Sequence, residues 1–391
     1  MEDQRRAIVR AARSGQPLRQ IARQFKVSLA TVQRWVGRAT GQRLDRVAFS
    51  GLPRGGRRTG NSTDPKVEDL ILQLRRQLKE ESDLGDCGAV IIREKLVEQK
   101  VEPVPSIRTI GRILARRGVL DGQRRRRLPP PPRGWYLPSL AQGKVEMDCW
   151  DAVEGLVIQG GLDVEVLNVI SLHGGLVGSW PGSGVTAKGV VAYMLEHWRA
   201  CGVPGFAQFD NDTIFQGAHQ YPDTFGRVTR LCLQLGVTPV FSAPRETGFQ
   251  AAIESYNGRW QTRVWNRFHH ANHDDLLERS DRFVQAHRHR NVQRRDAAPK
   301  RTELPADFQL NLGRPLGGVV IFLRRSDESG AVSLLGHRWE VSRHWCHRLV
   351  RAEVDLTVGE IRFHSLRRRE PSQQPLLCRV EYQVPKKRFH E

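Results

Sequence analysis

The sequence predicts a multidomain fold class: all-α helix-turn-helix modules at the N-terminus, a central α/β core built on a mixed sheet, and a small β-barrel at the C-terminus. Three observations point there. Apolar residues recur at helical spacing through the first 120 residues. Strand-like and helical stretches alternate over 139–305, and short alternating strands broken by turns follow from 312 onward. A chain of 391 residues accommodates two to four domains and a sizeable core.

Residues 1–45 contain QRRAIVRAARSG, PLRQIARQF and SLATVQRWVGRA, separated by Gly15-Gln16-Pro17 and Lys26-Val27-Ser28. That is helix-turn-helix spacing. Ile21, Ala22, Val27, Val32 and Trp35 are expected to fill the small core, with Ser28 as N-cap of the third helix. Ser28, Thr31, Gln33 and Arg34 are expected to face outward as DNA contacts, Gln33 and Arg34 being suited to base edges. A three-helix interaction module is the alternative. Residues 46–64 read as a flexible basic linker.

A second helical set covers 65–120, with helices expected over 67–78, 88–98 and 106–116. Ser106 is placed to cap the last of them, and Ile107, Ile110, Ile113 and Leu114 form its apolar stripe. Arg108 and Arg112 are the DNA-contact candidates, unless the set merely packs against its neighbours. The stretch 121–138, DGQRRRRLPPPPRGWYLP, reads as a polyproline II spacer in which Arg124, Arg125, Arg126 and Arg127 follow phosphates.

Within 139–305 three carboxylates stand out: Asp148 in VEMDCWDAV, Asp210 in FAQFDNDTIF and Glu254 in RETGFQAAIESYNGRW. Asp148 lies in a strand-like run and Asp210 ends a second apolar run, while Glu254 opens a helical stretch after a loop. A charge in an apolar strand is costly without a partner, and a metal ion is one such partner. Mg2+ prefers oxygen ligands and is commonly held by one or two carboxylates plus substrate phosphate. Two such ions clamp a phosphodiester for in-line displacement. Asp151 follows Asp148 by three residues, so strand alternation sets the two on opposite faces. Asn257 and Arg259, on or beside the Glu254 helical face, are further DNA-contact candidates.

Charge agrees with a polyanionic partner, since 62 basic against 42 acidic residues give a formal +20. Residues 1–60 hold fourteen Lys and Arg against three Asp and Glu, about +11, whereas 148–260 hold six against eleven, about −5. The excess positive charge therefore flanks the acidic core. The histidines of FHHANH and AHRH lack cysteines at zinc spacing, and an exposed helical surface is expected for them. Beyond 312, the alternating strands carry Arg324, Arg325, Arg338, Arg343 and Arg367 to Arg369 as a basic surface, with a passive cap on the core as the alternative.

At the acidic motifs the chain resembles the retroviral-integrase superfamily of insertion-sequence transposases, whose core is ribonuclease-H-like. MDCWDAVEG resembles the family's first strand, FDNDT its Asp-Asn-Gly turn with Asp212 in place of the glycine, and IESYNG its glutamate helix. The resemblance implies Asp148, Asp210 and Glu254 as catalytic and metal-binding residues, with two Mg2+ ions per site for which Mn2+ substitutes. It implies a DNA transposase that binds terminal repeats, exposes 3′ hydroxyl ends by hydrolysis and joins them to target DNA. Double-stranded DNA, a homo-oligomer on paired ends and a DNA-binding or multimerising tail at 312–391 follow from it. The competing expectations are a DNA-binding regulator with an inactive core and a metal-dependent nuclease that never joins. No apolar stretch approaches 18 residues, MEDQRRAI has no hydrophobic signal region and the six cysteines are scattered, so no membrane and a bacterial-type, nucleoid-associated cytoplasmic setting are expected.

Overall fold

The computed structural model describes residues 2–50, 63–120, 133–158, 160–218 and 220–385. Its chain divides into two compact units, 1–68 and 69–391. The tetra-arginine run at Arg124 to Arg127, the proline run and most of the first linker lie outside the described residues.

The first unit is a three-helix module of α1 (Glu2–Arg13), α2 (Leu18–Gln24) and α3 (Leu29–Ala39). Ser28 has extended backbone angles, and its hydroxyl accepts the Thr31 N–H at 3.2 Å, so the expected cap forms. Ile8, Val9, Ile21, Val32 and Trp35 form the core, closed by Val47 and Phe49 from the segment after α3. Several arginines of this basic region serve the fold itself. Arg5 lies 4.6 Å over the Trp35 ring and donates to the Phe49 carbonyl at 2.7 Å. Arg13 donates to the carbonyls of Ala39 and Gln42.

The second helical set comprises α4 (Pro65–Glu81), α5 (Ala89–Glu98) and α6 (Ile107–Arg116). Ser106 caps α6 through the Thr109 N–H at 3.2 Å. Ile71, Leu74, Leu78, Ile92, Leu96, Ile110, Ile113 and Leu114 are buried. Ile107, expected in the same stripe, is exposed. The C-terminal end of α4 and the loop after it are tied to the core, because Arg267 donates to the carbonyls of Ser82 at 2.6 Å and Glu80 at 2.8 Å. Arg282 pairs with Asp83 at 2.9 Å and Arg290 with Asp86 at 2.7 Å.

The core continues through α7 (Pro138–Ala141), β1 (Met147–Ile158), β2 (Leu162–Ser171), β3 (Val177–Gly182), α8 (Ala187–Cys201) and β4 (Phe206–Phe209). Next come α9 (Thr213–Gln216), α10 (Arg227–Gln234), β5 (Thr238–Phe241) and α11 (Ala251–Trp260), which runs into a π-helical turn at Gln261–Trp265. Then α12 (His273–Arg290) and α13 (Val292–Asp296) precede β6 (Val319–Arg325), β7 (Ala331–Leu334), β8 (His337–Glu340), β9 (Leu349–Asp355), β10 (Glu360–Leu366) and β11 (Leu376–Glu381).

Nine of these strands form one mixed sheet in the order β11-β10-β9-β6-β5-β4-β1-β2-β3, with β7 and β8 pairing separately. β1, β2 and β3 are antiparallel neighbours, whereas β1, β4, β5 and β6 run parallel. One face packs Trp150, Phe209, Phe241 and Phe322 with Trp198 of α8. The other packs Cys149, Val240 and Leu323 with Ile253, Tyr256 and Trp260 of α11 and Phe283 of α12. Such two-sided burial is why these strands read as continuous apolar runs.

The expected C-terminal barrel does not form among the described residues. β6 pairs in parallel with β5, and β9, β10 and β11 extend the same sheet by antiparallel pairing. Strand content and turns were predictable here, but pairing partners depend on tertiary packing. The turn Asp327-Glu328-Ser329-Gly330 does form. Asp327 accepts the N–H of Ser329 at 2.8 Å, and Gly330 at φ +82 passes so close to Ser342 that a Cβ would lie 1.9 Å from its carbonyl oxygen. Much of the tail's expected basic surface is internally paired. Arg325 and Arg368 bind Glu246, Arg338 binds Asp327, and Arg367 binds Glu370. Among the described residues, no helix is long and apolar enough to cross a membrane.

Candidate active site

The two aspartates of β1 occupy opposite faces of the sheet, and the structure separates them by environment. Asp148 is fully buried and accepts the Trp198 indole N–H at 2.9 Å. Arg301 donates to both of its oxygens, one contact being very short and the other 3.1 Å, while also holding the Gly202 carbonyl at 2.9 Å. Burial pushes the Asp148 carboxyl up, but Arg301, His197 and Trp198 together outweigh it and hold the carboxyl below its ordinary value. This bidentate pair satisfies Asp148 on the α8 side, so the structure does not bring Asp148 to Asp210 and Glu254 as expected.

Asp151 is the residue that meets them. The parallel register Asp148↔Ala207 and Cys149↔Gln208, continued by two residues, sets Asp151 opposite Asp210. Cys149 and Gln208 touch on that face at 3.4 Å, so by alternation Asp151 and Asp210 share it. This is also the face covered by α11, on which Glu254 and Asn257 sit one turn apart. Asp151 lies at the midpoint of β1, whereas Asp210 directly follows β4, where parallel strands commonly present ligand sites.

Asn257 links the elements. Its side-chain N–H donates to Asp151 at 2.7 Å, and its carbonyl accepts from Asn168 of β2 at 2.9 Å. Asn257 is buried and committed to this relay, which replaces the outward DNA contact expected of it. Burial pushes the Asp151 carboxyl up to about 7; the Asp210 carboxylate, and more weakly Glu254, push the same way against the Asn257 hydrogen bond. Asp210 is likewise raised by burial, opposed by the Asp212 N–H at 3.0 Å and reinforced by the Asp212 and Glu154 carboxylates. Glu254 is exposed.

Asp212, where the resemblance expects glycine, needs no positive φ. At φ −63 and ψ 146 it caps α9, its carboxylate accepting the Ile214 N–H at 2.8 Å. Asn211 donates to the Ser242 carbonyl at 2.6 Å and ties the end of β4 to the end of β5. Among the described residues, no group of three or more His, Cys, Asp or Glu side chains is placed to hold a metal ion. Two mutually repelling carboxylates with oxygen-only donors, plus an exposed Glu254, nevertheless fit a hard cation that completes its shell with phosphate and water.

Gln33 and Arg34 are exposed on α3, whereas the hydroxyls of Ser28 and Thr31 bind each other at 2.8 Å in the cap. Arg108 and Arg112 are exposed on α6. Arg259 is exposed and contacts His287 Nε2 at 3.1 Å. His287 and His270 are buried rather than on the exposed surface expected for that cluster. Sequence reasoning missed Asp151 and Asn168. Nothing local distinguishes Asp148 from Asp151, because the deciding partner, Arg301, lies 153 residues away from Asp148.

Residues 2–47 match a family model described as a homeodomain-like domain. No curated protein matches the chain. Among solved structures, it is similar to the simian T-cell lymphotropic virus intasome in complex with the PP2A regulatory subunit B56 gamma, at 12% identity over 71% of this chain and 88% of that one, with a TM-score of 0.31. It is also similar to the catalytic core domain of BIV integrase, at 16% identity, 36% and 80% coverage and a TM-score of 0.27. The HTLV-2 integrase catalytic core domain in complex with magnesium gives 11%, 39%, 86% and 0.27.

Proposed function

We propose that this protein is a DNA transposase whose chemistry uses Asp151, Asp210 and Glu254, with Asp148 serving the fold. The observation that carries this reading is the cluster of like charges on the α11 face, in which Asp151 is lifted to about 7 by burial and by Asp210. A half-buried carboxylate pair with no cation between its members is costly to keep charged. A divalent cation held by Asp151, Asp210 and Glu254 would neutralise that pair and polarise a phosphodiester. The relay from Asn168 through Asn257 fixes the Asp151 carboxylate, so its orientation does not depend on the ion.

In this reading the exposed residues of α3, Gln33 and Arg34 first among them, contact terminal repeats, and exposed Arg108 and Arg112 add phosphate contacts. Water then displaces the 3′ oxygen at the element end, and the freed 3′ hydroxyl displaces a 3′ oxygen of target DNA. Neither step needs a covalent link to the protein. Pairing of two ends calls for a homo-oligomer.

The test mixes labelled DNA from the ends of the element that encodes the protein with supercoiled plasmid and Mg2+. Joined product from wild type, lost in Asp151→Asn and retained in a folded Asp148→Asn, is the expected result. Cleavage without joining would make the protein a nuclease, and binding without either would make it a regulator.

A further inference from the structure

A cavity of about 360 Å3 lies beside α11 on the same face of the core, bounded by the end of β2, the segment before α7, and α12 with α13. Arg133, Arg259 and Arg294 all line it, and among the described residues no carboxylate does. Their hydrogen-bond partners among the described residues are neutral: Arg133 donates to the Leu172 carbonyl at 3.2 Å, Arg294 to the carbonyls of Leu172 at 2.7 Å and His173 at 2.5 Å, and Arg259 contacts His287. Glu146, the acid that offsets Arg294 from behind the turn, is fully buried and already accepts the N–H groups of Met147, His173 and Gly174. Arg294 is pushed down by burial and by its two cationic neighbours. Three guanidiniums around one concavity repel one another until an anion enters, and Arg presents the forked donors that match phosphate oxygens.

The rest of the lining includes apolar residues of the core. Trp135 and Phe249 stack at 5.5 Å, with Tyr136 and Ile170 beside them. A lining that combines guanidiniums with aromatic and aliphatic side chains favours an anion attached to a flat, weakly polar body. The volume sits at the small end of ligand clefts, too small for a duplex but sufficient for one nucleotide. Ser255 of this cavity directly follows Glu254, and Ile170 lies two residues beyond Asn168. We propose that the cavity binds a single unpaired nucleotide, its phosphate among the three arginines and its base against Trp135. If the proposed function holds, that nucleotide belongs to the strand whose neighbouring phosphate reaches the carboxylates, extruded from its stack at the element end.

The experiment is a metal-free calorimetric titration of the full chain, so that binding is read without catalysis. The probes are inorganic phosphate, a nucleoside 5′-monophosphate, a blunt duplex and the same duplex with an unpaired end. We expect the monophosphate to bind at least about tenfold more tightly than inorganic phosphate, and Arg259→Glu and Arg133→Glu each to weaken it at least about tenfold, as loss of a charge-assisted contact requires. Arg259→Lys should recover part of the loss, and thermal unfolding of each variant reports whether the fold is kept. A duplex that gains affinity from its unpaired end supports a strand nucleotide; equal duplex affinities with tight monophosphate binding support a free nucleotide. Equal binding of phosphate and monophosphate, or monophosphate binding unchanged in both folded charge-reversal variants, overturns the proposal. Failure of end joining with this binding intact refutes only the catalytic reading.

Discussion

Two aspartates three residues apart on β1 have opposite surroundings. On the α8 side, Asp148 is enclosed by a guanidinium, an indole N–H and an imidazole, and its charge is neutralised within the fold. On the α11 side, Asp151 has the Asn257 amide and the Ala152 N–H as donors and two carboxylate neighbours. The first arrangement lowers the carboxyl pKa and the second raises it, although Asp148 is fully buried and Asp151 only half-buried. Burial alone therefore does not mark a reactive carboxylate; lack of a cationic protein partner does.

Activity separates the two aspartates most. Asp151→Asn, Asp210→Asn and Glu254→Gln should each lower end joining by on the order of 10³-fold or more, as removal of a group that organises phosphoryl transfer does. Gel quantitation of joined product checks this, and an active Asp151→Asn would return the role to the other face. Stability should separate the pair in the opposite sense. Asp148→Ala leaves Arg301 buried without its anion and should cost about 3–5 kcal/mol in urea unfolding, with much of the loss recovered in Asp148→Leu combined with Arg301→Met.

A smaller effect concerns pH. A folded pKa of about 7 means that folded Asp151 keeps a proton which the unfolded chain releases near its ordinary value of 3.8. The associated stability is complete below about pH 4 and is lost as pH rises through 7. Because Asp151 is only half-buried, Asp151→Asn should be about 1–2 kcal/mol more stable than wild type at pH 8 and no more stable near pH 4. Urea titrations at the two pH values decide it, and a wild type equally stable relative to the variant at both would show that the repulsion is absent. The smallest effect belongs to the relay. Asn257→Ala should cost about 1 kcal/mol from the lost buried hydrogen bonds, with activity reduced roughly tenfold and Mg2+ dependence retained.

Local signals were legible and distant ones were not. Ser28 and Ser106 announced their helices because a cap is made with residues three positions away. The alternation that separates Asp148 from Asp151 was equally plain. Which face held the acids was not, because β1 is apolar on both sides and its partners, Arg301 on one and Asp210 with Asn257 on the other, come from remote segments. Asn257 and His287 were placed outside for a similar reason: a helix with polar residues on several sides does not declare which of them a neighbour will cover. The tail strands were recognisable from alternation, but nothing in 319–325 announced a parallel partner in β5.

That parallel pairing has a consequence for inheritance. A tail folded as its own barrel is a cassette, which a lineage can exchange by recombination near residue 312 without disturbing what precedes it. Here such an exchange would strip β5 of its neighbour and leave an open row of amide and carbonyl groups on the strand whose end is joined through Ser242 to Asn211, next to Asp210. Variation in the tail must therefore arise residue by residue, on a scaffold it shares with the acidic cluster.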